Sequence, residues 1–370
     1  MATSSAQDCI GRAVDELDTP ALCIELPKLD ANIERAAAMC RERNIGWRPH
    51  AKGHKCPQIA RRQMAAGAIG VTCAKLGEAE VLAAGGVNDL LIANQIAGPA
   101  KLARLAELRR TADPIVTVDH AEQVDALART MRDAGVTVRT LIEVDIGLHR
   151  AGVAPGDATL ALARQIAASD GLQLAGIMGY EGHLLTVPDL EEKQQRIRAA
   201  LAELVNTAEL LASEGLPCPI VSAGGTGSFL ISIDCPGISE LQAGGLIFMD
   251  VFYREQCQVT GFEHALTILS TVVSRPTADR AIIDAGRKTM NCELEFPQIV
   301  SHAGIRVARL SAEHGQLELA AEAQPLAIGD RVTLIPGYGD FTTVLHNDFY
   351  VVEGDRVVDV WPLAARGRLA

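Results

Sequence analysis

Aromatic residues are scarce: they make up 4% of the 370 residues, with two tryptophans and four tyrosines. That scarcity argues against a sandwich of aromatic-rich strands. Apolar content still reaches 48%, carried by Ala, Leu, Ile and Val, which suits an α/β core. No apolar run approaches the ~18 residues of a membrane-spanning helix. Met1–Arg12 lacks the apolar centre of a signal peptide, so a cytoplasmic protein is expected, without membrane contact. Basic stripes with interleaved aromatics are missing and the net charge is −12, which excludes nucleic acid as a partner. The nine cysteines are odd in number and contain no C-x-x-C pair. A zinc ribbon and a disulfide framework both drop out, and Cys56 and Cys73 read as small buried hydrophobes.

The length exceeds one usual core, so two domains are expected. After a polar start, Ala21–Leu26 reads as a strand and Leu29–Arg43 as a helix. From Ile45 a repeat begins. Apolar strands at Ile45–His50, Ala68–Cys73, Asp89–Ala93, Pro114–Val118, Val138–Val144, Gln173–Gly179, Pro219–Ser222 and Ile238–Gln242 alternate with helical patterns. Eight strands at this period predict a parallel (β/α)8 barrel over residues 27–245. A doubly wound sheet is the rival, but it more often puts its glycine loop after the first strand. Beyond Leu246 helical periodicity fades, and short β-like runs predict a β domain over residues 246–370, with residues 1–26 assigned to it.

Two stretches carry the chemistry. Arg48-Pro49-His50-Ala51-Lys52-Gly53-His54-Lys55 crowds two lysines and two histidines at the end of the first barrel strand. Ser222-Ala223-Gly224-Gly225-Thr226-Gly227-Ser228 follows the seventh, where barrels commonly build a phosphate site. Its glycines let backbone N–H groups approach an anion, and its Thr and Ser add hydroxyls. A lysine in the first position fits a surface cation, a phosphate contact or a Schiff-base nucleophile; for Lys55 the surface reading is the better one. Lysine plus a distant phosphate loop is the arrangement that pyridoxal 5'-phosphate requires. Lys75, Asn94, Asp119, Asp145, Arg150, Tyr180, Glu181, His183 and Gln242 stand after other barrel strands, at the rim where barrel enzymes place their catalytic groups. Each taken singly also fits a cap or a salt bridge, as Arg150 does with Asp145. His50 and Lys52 fall on one face if the strand continues that far.

These markers, with Asp18-Thr19-Pro20, Glu143-Val144-Asp145-Ile146-Gly147, Arg150-Ala151-Gly152-Val153, Phe248-Met249-Asp250, Asp284-Ala285-Gly286 and Ala365-Arg366-Gly367, occur in one order and spacing. In that order the chain resembles the D-threonine aldolase and D-serine dehydratase family of alanine racemase-like (fold type III) enzymes. The resemblance runs from about Asp18 to Gly367. It implies pyridoxal 5'-phosphate on Lys52. It places Arg150 near the phenolic oxygen, Tyr180 and His50 along the cofactor, Ser222, Gly225, Thr226, Gly227 and Ser228 around the phosphate, and Gln242 opposite the ring nitrogen. It also implies a homodimer in which Tyr253 and Pro336–Asp340 are supplied across the interface.

The resemblance further implies a divalent ion held by a His-x-Asp or His-x-Cys pair after a strand and Pro-Gly. Here the segment reads Pro336-Gly337-Tyr338-Gly339-Asp340, with tyrosine at the histidine position. Asp340 is kept as the expected ligand for Mg²⁺, Mn²⁺ or Zn²⁺, with help from His183 or water; His346 is a minor candidate. Proton transfer by Tyr338 and His183 is the alternative. The implied activity is lyase chemistry on a β-hydroxy D-amino acid: retro-aldol cleavage to glycine and an aldehyde, or else dehydration to a keto acid and ammonia. A racemase and a non-enzymatic cofactor carrier are further alternatives.

Overall fold

The computed structural model describes residues 6–370. The first five residues, part of the Met1–Arg12 stretch and of the segment assigned to the β domain, lie outside it. By their contacts the residues divide into two compact units. One runs to Glu34 and resumes over Gly245–Ala364; the other is Arg35–Gly244 with Ala365–Ala370. Among the described residues no helix is long and apolar enough to cross a membrane.

The chain enters with β1 (Ala21–Glu25) and α1 (Leu26–Glu42), and the first cut falls inside α1. The barrel then alternates β2 (Gly46–Trp47), α2 (Pro57–Ala65), β3 (Val71–Cys73), α3 (Leu76–Ala84), β4 (Asp89–Gln95), α4 (Pro99–Leu108), β5 (Asp113–Val118), α5 (Ala121–Asp133), β6 (Val138–Glu143), α6 (Asp157–Ala167), β7 (Leu172–Met178), α7 (Leu190–Ser213), β8 (Ile220–Ala223), α8 (Phe229–Ser232) and β9 (Glu240–Leu241). The strands pair in parallel in the order β2-β9-β8-β7-β6-β5-β4-β3. A parallel bridge from His50 to Thr72 joins the two ends of that order. Main-chain bonds from Ile69 to Trp47 and from Thr72 to Pro49, each 2.9 Å, continue the junction. Leu91, Ile115, Leu141, Ala175 and Met178 fill a layer of the core. α7 shows how local sequence starts such a helix: the Asp189 carboxylate accepts the Glu192 N–H at 2.7 Å, and Glu191 and Glu192 sit at the positive N-terminal end.

The second unit holds β10 (Leu266–Thr277), β11 (Arg280–Ile283), β12 (Gln298–Ile299), β13 (Ile305–Leu310), β14 (Gly315–Leu319), β15 (Arg331–Ile335), the one-turn α9 (Gly339–Thr343), β16 (Asp348–Glu353) and β17 (Arg356–Pro362). With β1 these make a sheet ordered β13-β14-β11-β10-β1-β16-β17, with β15 also on β10 and β12 on β15. β1 lies antiparallel to β10 and parallel to β16, so the first strand of the chain is central here. Two sequence markers meet in this unit: Thr19 Oγ1 donates to Asp284 Oδ2 at 2.5 Å, and Ser270 Oγ donates to Asp284 Oδ1 at 2.6 Å. Those markers are joints of the sheet. The short strands β12 and β14 escape the sequence reading because they are two and five residues long and half polar.

Candidate functional site

The first barrel strand ends sooner than its hydrophobic pattern predicts. After His50 the chain turns into a 3₁₀ turn, Ala51–Gly53, so the expectation that strand alternation puts His50 and Lys52 on one face does not hold. A local bond joins them instead: the Lys52 N–H donates to His50 Nδ1 at 3.3 Å. That bond leaves the proton of a neutral imidazole on Nε2. Burial, then the nearby charges of Lys52, Lys55, His54 and Arg150, push the His50 pKa well down. Lys52 is half-buried. Lys55 is not the surface lysine expected: it is buried and its ammonium pairs with the buried carboxylate of Glu78, whose other oxygen accepts the Ala74 N–H at 2.8 Å. Lys55 is therefore committed to a structural ion pair.

The loops after β6, β7 and β8 meet around Tyr180. Its ring lies so close to Gly225 that a Cβ there would sit 2.8 Å from Cε2. Only glycine permits this approach. The Arg150 guanidinium stands 5.7 Å from the Tyr180 ring centroid, within cation–π range. Arg150 reaches back to Glu143, not to Asp145, at 3.4 Å; Glu143 also accepts from Gln95 at 2.6 Å. Asp145 is engaged by the main chain of Gly147 and by the main chain and ring of His149. Burial pushes the Asp145 carboxyl up, but these bonds outweigh it and hold the pKa below its ordinary value.

The glycine loop is a 3₁₀ turn, Thr226–Ser228, leading into α8. The Ser228 hydroxyl accepts the Gly225 N–H at 3.1 Å and donates to Glu181 Oε1 at 2.5 Å. It serves the turn itself, so an anion would be met by main chain and not by this hydroxyl. Glu181 also accepts from Ser232 Oγ at 2.9 Å. Its carboxylate is wholly buried, and Oε2 has no hydrogen-bond partner. Ser222 and Gln242 are buried together, with Gln242 Nε2 donating to Ser222 Oγ at 2.9 Å. The Gln242 carbonyl accepts the His50 N–H at 3.0 Å, which ties β9 to the Lys52 turn. His183 is exposed, with its ring over Gly147, where a Cβ would sit 2.9 Å from Nε2 and where φ is +111°. Burial, then Arg196 and His149, lower the His183 pKa.

Lys52, His50, Tyr180, Arg150, Ser222, Gln242 and the Gly225–Ser228 turn therefore belong to one rim of the barrel unit, at the C-terminal ends of its strands. A half-buried lysine beside a neutral histidine, and a glycine-only cradle under an aromatic ring, fit an aldehyde cofactor carrying a phosphate.

Tyr253, Tyr338 and Asp340 form a cluster of their own in the β unit. The Tyr338 hydroxyl donates to Asp340 Oδ2 at 3.0 Å and lies 3.5 Å from the Tyr253 hydroxyl. Phe252, Tyr253 and Phe341 surround the Tyr338 ring at 5.4, 5.7 and 4.8 Å between centroids. Beneath it the buried Asp250 accepts the Tyr253 and Gly339 N–H groups, each at 2.8 Å. Burial pushes the Asp250 pKa up to about 8; the two N–H bonds oppose the rise and Asp340 adds to it. Among the described residues no group of three or more His, Cys, Asp or Glu is placed to hold a metal ion. The residues at Asp340 do not fit a divalent ion: its neighbour is a neutral phenol, a poor ligand for a hard cation, and one carboxylate oxygen is engaged by it.

Sequence reading missed Glu181 as the anchor of the glycine loop and Glu143 as the partner of Arg150, and it read Asp250 as a marker without its partner Gly339. Ser228 lies 47 positions from Glu181 and Gly339 lies 89 from Asp250, so only the fold connects those pairs; Glu143 is 7 positions from Arg150, but Asp145 is nearer.

Comparison with known proteins fixes the family. The alanine racemase N-terminal domain profile matches residues 24–251, and a putative serine dehydratase domain profile matches residues 265–352. A D-threonine aldolase of Arthrobacter sp. is 37% identical over 359 residues, covering 96% of this chain and 95% of that protein. The crystal structure of D-threonine aldolase from Filomicrobium marinum superposes with a TM-score of 0.94 at 37% identity, covering 96% and 97% of the two chains. D-threo-3-hydroxyaspartate dehydratase from Delftia sp. HT23 superposes at 0.86 with 29% identity, covering 95% and 98%. With a barrel and a β unit of this topology and matches along nearly its whole length, the chain belongs to the D-threonine aldolase and D-serine dehydratase family of alanine racemase-like, pyridoxal 5'-phosphate-dependent enzymes.

Proposed function

We propose that this chain is a pyridoxal 5'-phosphate-dependent lyase that cleaves β-hydroxy D-amino acids of the D-threonine type to glycine and an aldehyde. The observation that carries the reading is the rim that gathers Lys52, His50, Tyr180, Arg150 and the Gly225–Ser228 turn, on a chain 37% identical to a D-threonine aldolase. The bound cofactor supplies an electron sink for the pair released at Cα. Lys52 is its attachment point, because its amine follows the first barrel strand beside His50, where an aldehyde can be met by a lysine nucleophile. Arg150 holds fixed positive charge at the Tyr180 face. The Gly225–Ser228 turn takes the phosphate through main chain, and Ser222 and Gln242 line the deeper end. His183, with its lowered pKa, is the barrel-side candidate for the base at the β-hydroxyl proton.

Dehydration is the second reading, favoured by the likeness to D-threo-3-hydroxyaspartate dehydratase. The two reactions break different bonds of similar substrates. Product analysis with D-threonine, D-serine and D-3-hydroxyaspartate separates them: glycine and aldehyde on one side, keto acid and ammonia on the other. Turnover of none of the three, with cofactor bound, would overturn both. A cytoplasmic homodimer is part of the proposal; sedimentation at assay concentration tests the dimer, and a fully active monomer refutes it.

A further inference from the structure

The Pro336–Asp340 turn is where a divalent ion is expected, and its chemistry points elsewhere. Position 338 carries a phenol, which is neutral near pH 7 and offers one weak oxygen to a hard cation. That oxygen is already aimed at Asp340, to which it donates at 3.0 Å. The ring cannot swing away at little cost: it is buried and stands edge-on to Phe252, Tyr253 and Phe341. The neighbouring carboxylate, Asp250, is spent on the N–H groups of Tyr253 and Gly339 and is buried. His346, the histidine that follows the turn, has Nε2 at 2.8 Å from the Thr289 carbonyl, so that nitrogen donates to main chain and offers no lone pair.

We propose that in this chain the Tyr338–Asp340 hydrogen-bonded pair stands in place of a metal centre: the turn binds no divalent ion and holds a proton between phenol and carboxylate instead. Tyr338 is the residue that bars the ion. With Tyr253 within 3.5 Å of its hydroxyl, Tyr338 extends a short row of proton-bearing groups that ends at Asp340. The inference rests on the family placement and not on the assigned reaction, so metal binding, and not turnover, tests it.

The holoenzyme is dialysed against chelator, then titrated with Mn²⁺ while the free ion is followed by electron paramagnetic resonance. The wild type is expected to retain less than a tenth of an ion per chain and to show no saturable site at micromolar Mn²⁺. Tyr338→His is expected to gain one site per chain with at least tenfold tighter apparent binding, and Tyr338→His with Asp340→Asn is expected to lose it. One tightly held Mn²⁺ per wild-type chain that disappears in Asp340→Asn overturns the proposal. A folded Tyr338→His that gains nothing overturns the assignment of the barrier to Tyr338. Tyr338→Phe keeps the aromatic packing and removes the hydroxyl. If Tyr338→His does not fold, the wild-type titration decides alone, with Tyr338→Phe as its folded control.

Discussion

The two ends of the barrel treat charge in opposite ways. At the N-terminal ends of the strands, Arg48 is buried and pairs with Glu240 at 3.0 Å and with Asp89 at 2.5 Å. Arg139 continues the network to Asp89 at 3.1 Å and to Asp113 at 2.8 Å. Cation and carboxylate alternate there, each held by more than one element, as a strut would be. At the C-terminal ends, outside the Lys55–Glu78 and Asp145–His149 pairs, charges are held back from each other. Arg150 meets Glu143 only at 3.4 Å and stays exposed, His50 is uncharged, and Glu181 keeps one buried oxygen without a partner. In a barrel the face opposite the rim is where residues serve stability. Arg48 and Lys52 are four residues apart in one motif, yet they serve opposite ends. Strand polarity, not proximity in sequence, separates stability from chemistry.

The largest effect is expected at the rim. Lys52→Ala should lower turnover by on the order of 10⁴-fold or more, the scale on which loss of an essential nucleophile acts. It should also abolish the visible absorbance of the protein-bound cofactor while leaving thermal stability almost unchanged. Borohydride reduction of the wild type should label the Lys52 peptide alone. A label on Lys55 would break the comparison, since Lys55 belongs with Glu78 among the structural pairs.

The opposite outcome is expected at the other end. Arg48→Met leaves Glu240 buried without its partner, which costs about 3–5 kcal/mol. Denaturant unfolding should report that loss, whereas cofactor affinity and turnover per folded molecule should stay within twofold of wild type. Arg48→Met with Glu240→Met removes both charges and should recover much of the stability. A loss of cofactor binding in Arg48→Met, with the fold retained, would show that the two ends are coupled and not separate.

Much of this contrast was legible in the sequence. The alternation of strands and helices marks the barrel, and the ends of its strands place Lys52 and the glycine loop at the rim. What was not legible depends on partners. Lys55 reads as a surface lysine because nothing in its own stretch announces Glu78, which is 23 residues away on α3. Arg150 reads as a partner of Asp145 because that carboxylate is nearer in sequence, but His149 and Gly147 claim it first. The strand at His50 looks longer than it is because Ala51 is apolar, and apolarity does not mark where a 3₁₀ turn begins.

A smaller effect sharpens the picture of the rim. Glu181 holds Ser228 and Ser232, and Ser228 in turn holds the Gly225 N–H. Glu181→Ala leaves two buried hydroxyls without their acceptor, worth about 1–3 kcal/mol. If the turn binds the phosphate, that loss should appear as a roughly tenfold weaker retention of cofactor, measured by dialysis and absorbance. Ser228→Ala should give a lesser loss in the same direction. Unchanged retention in both variants would mean that the turn is only a structural corner.

The smallest effect is a pH dependence that belongs to the buried imidazoles under the rim. His54 is buried, accepts the Cys56 N–H at 3.1 Å, and has its pKa pushed down to about 3, by burial first and then by the charge of Lys55. A histidine that stays neutral when folded, but takes a proton near pH 6.5 when unfolded, makes the unfolded state bind more protons below that pH. Stability from this residue is therefore complete above about pH 6.5 and falls as pH drops towards 3, by about 1.4 kcal/mol per pH unit. Between pH 7.5 and 5.5 the expected loss from His54 is thus about 1.4 kcal/mol. His50 acts in the same direction. His54→Asn retains an acceptor for the Cys56 N–H and removes the titration, so its unfolding free energy should change less over that interval than the wild type's. Equal pH slopes for the two proteins would show that His54 is protonated, or solvated, in the folded state, and that charge at this end of the barrel is less restrained than the rim geometry requires.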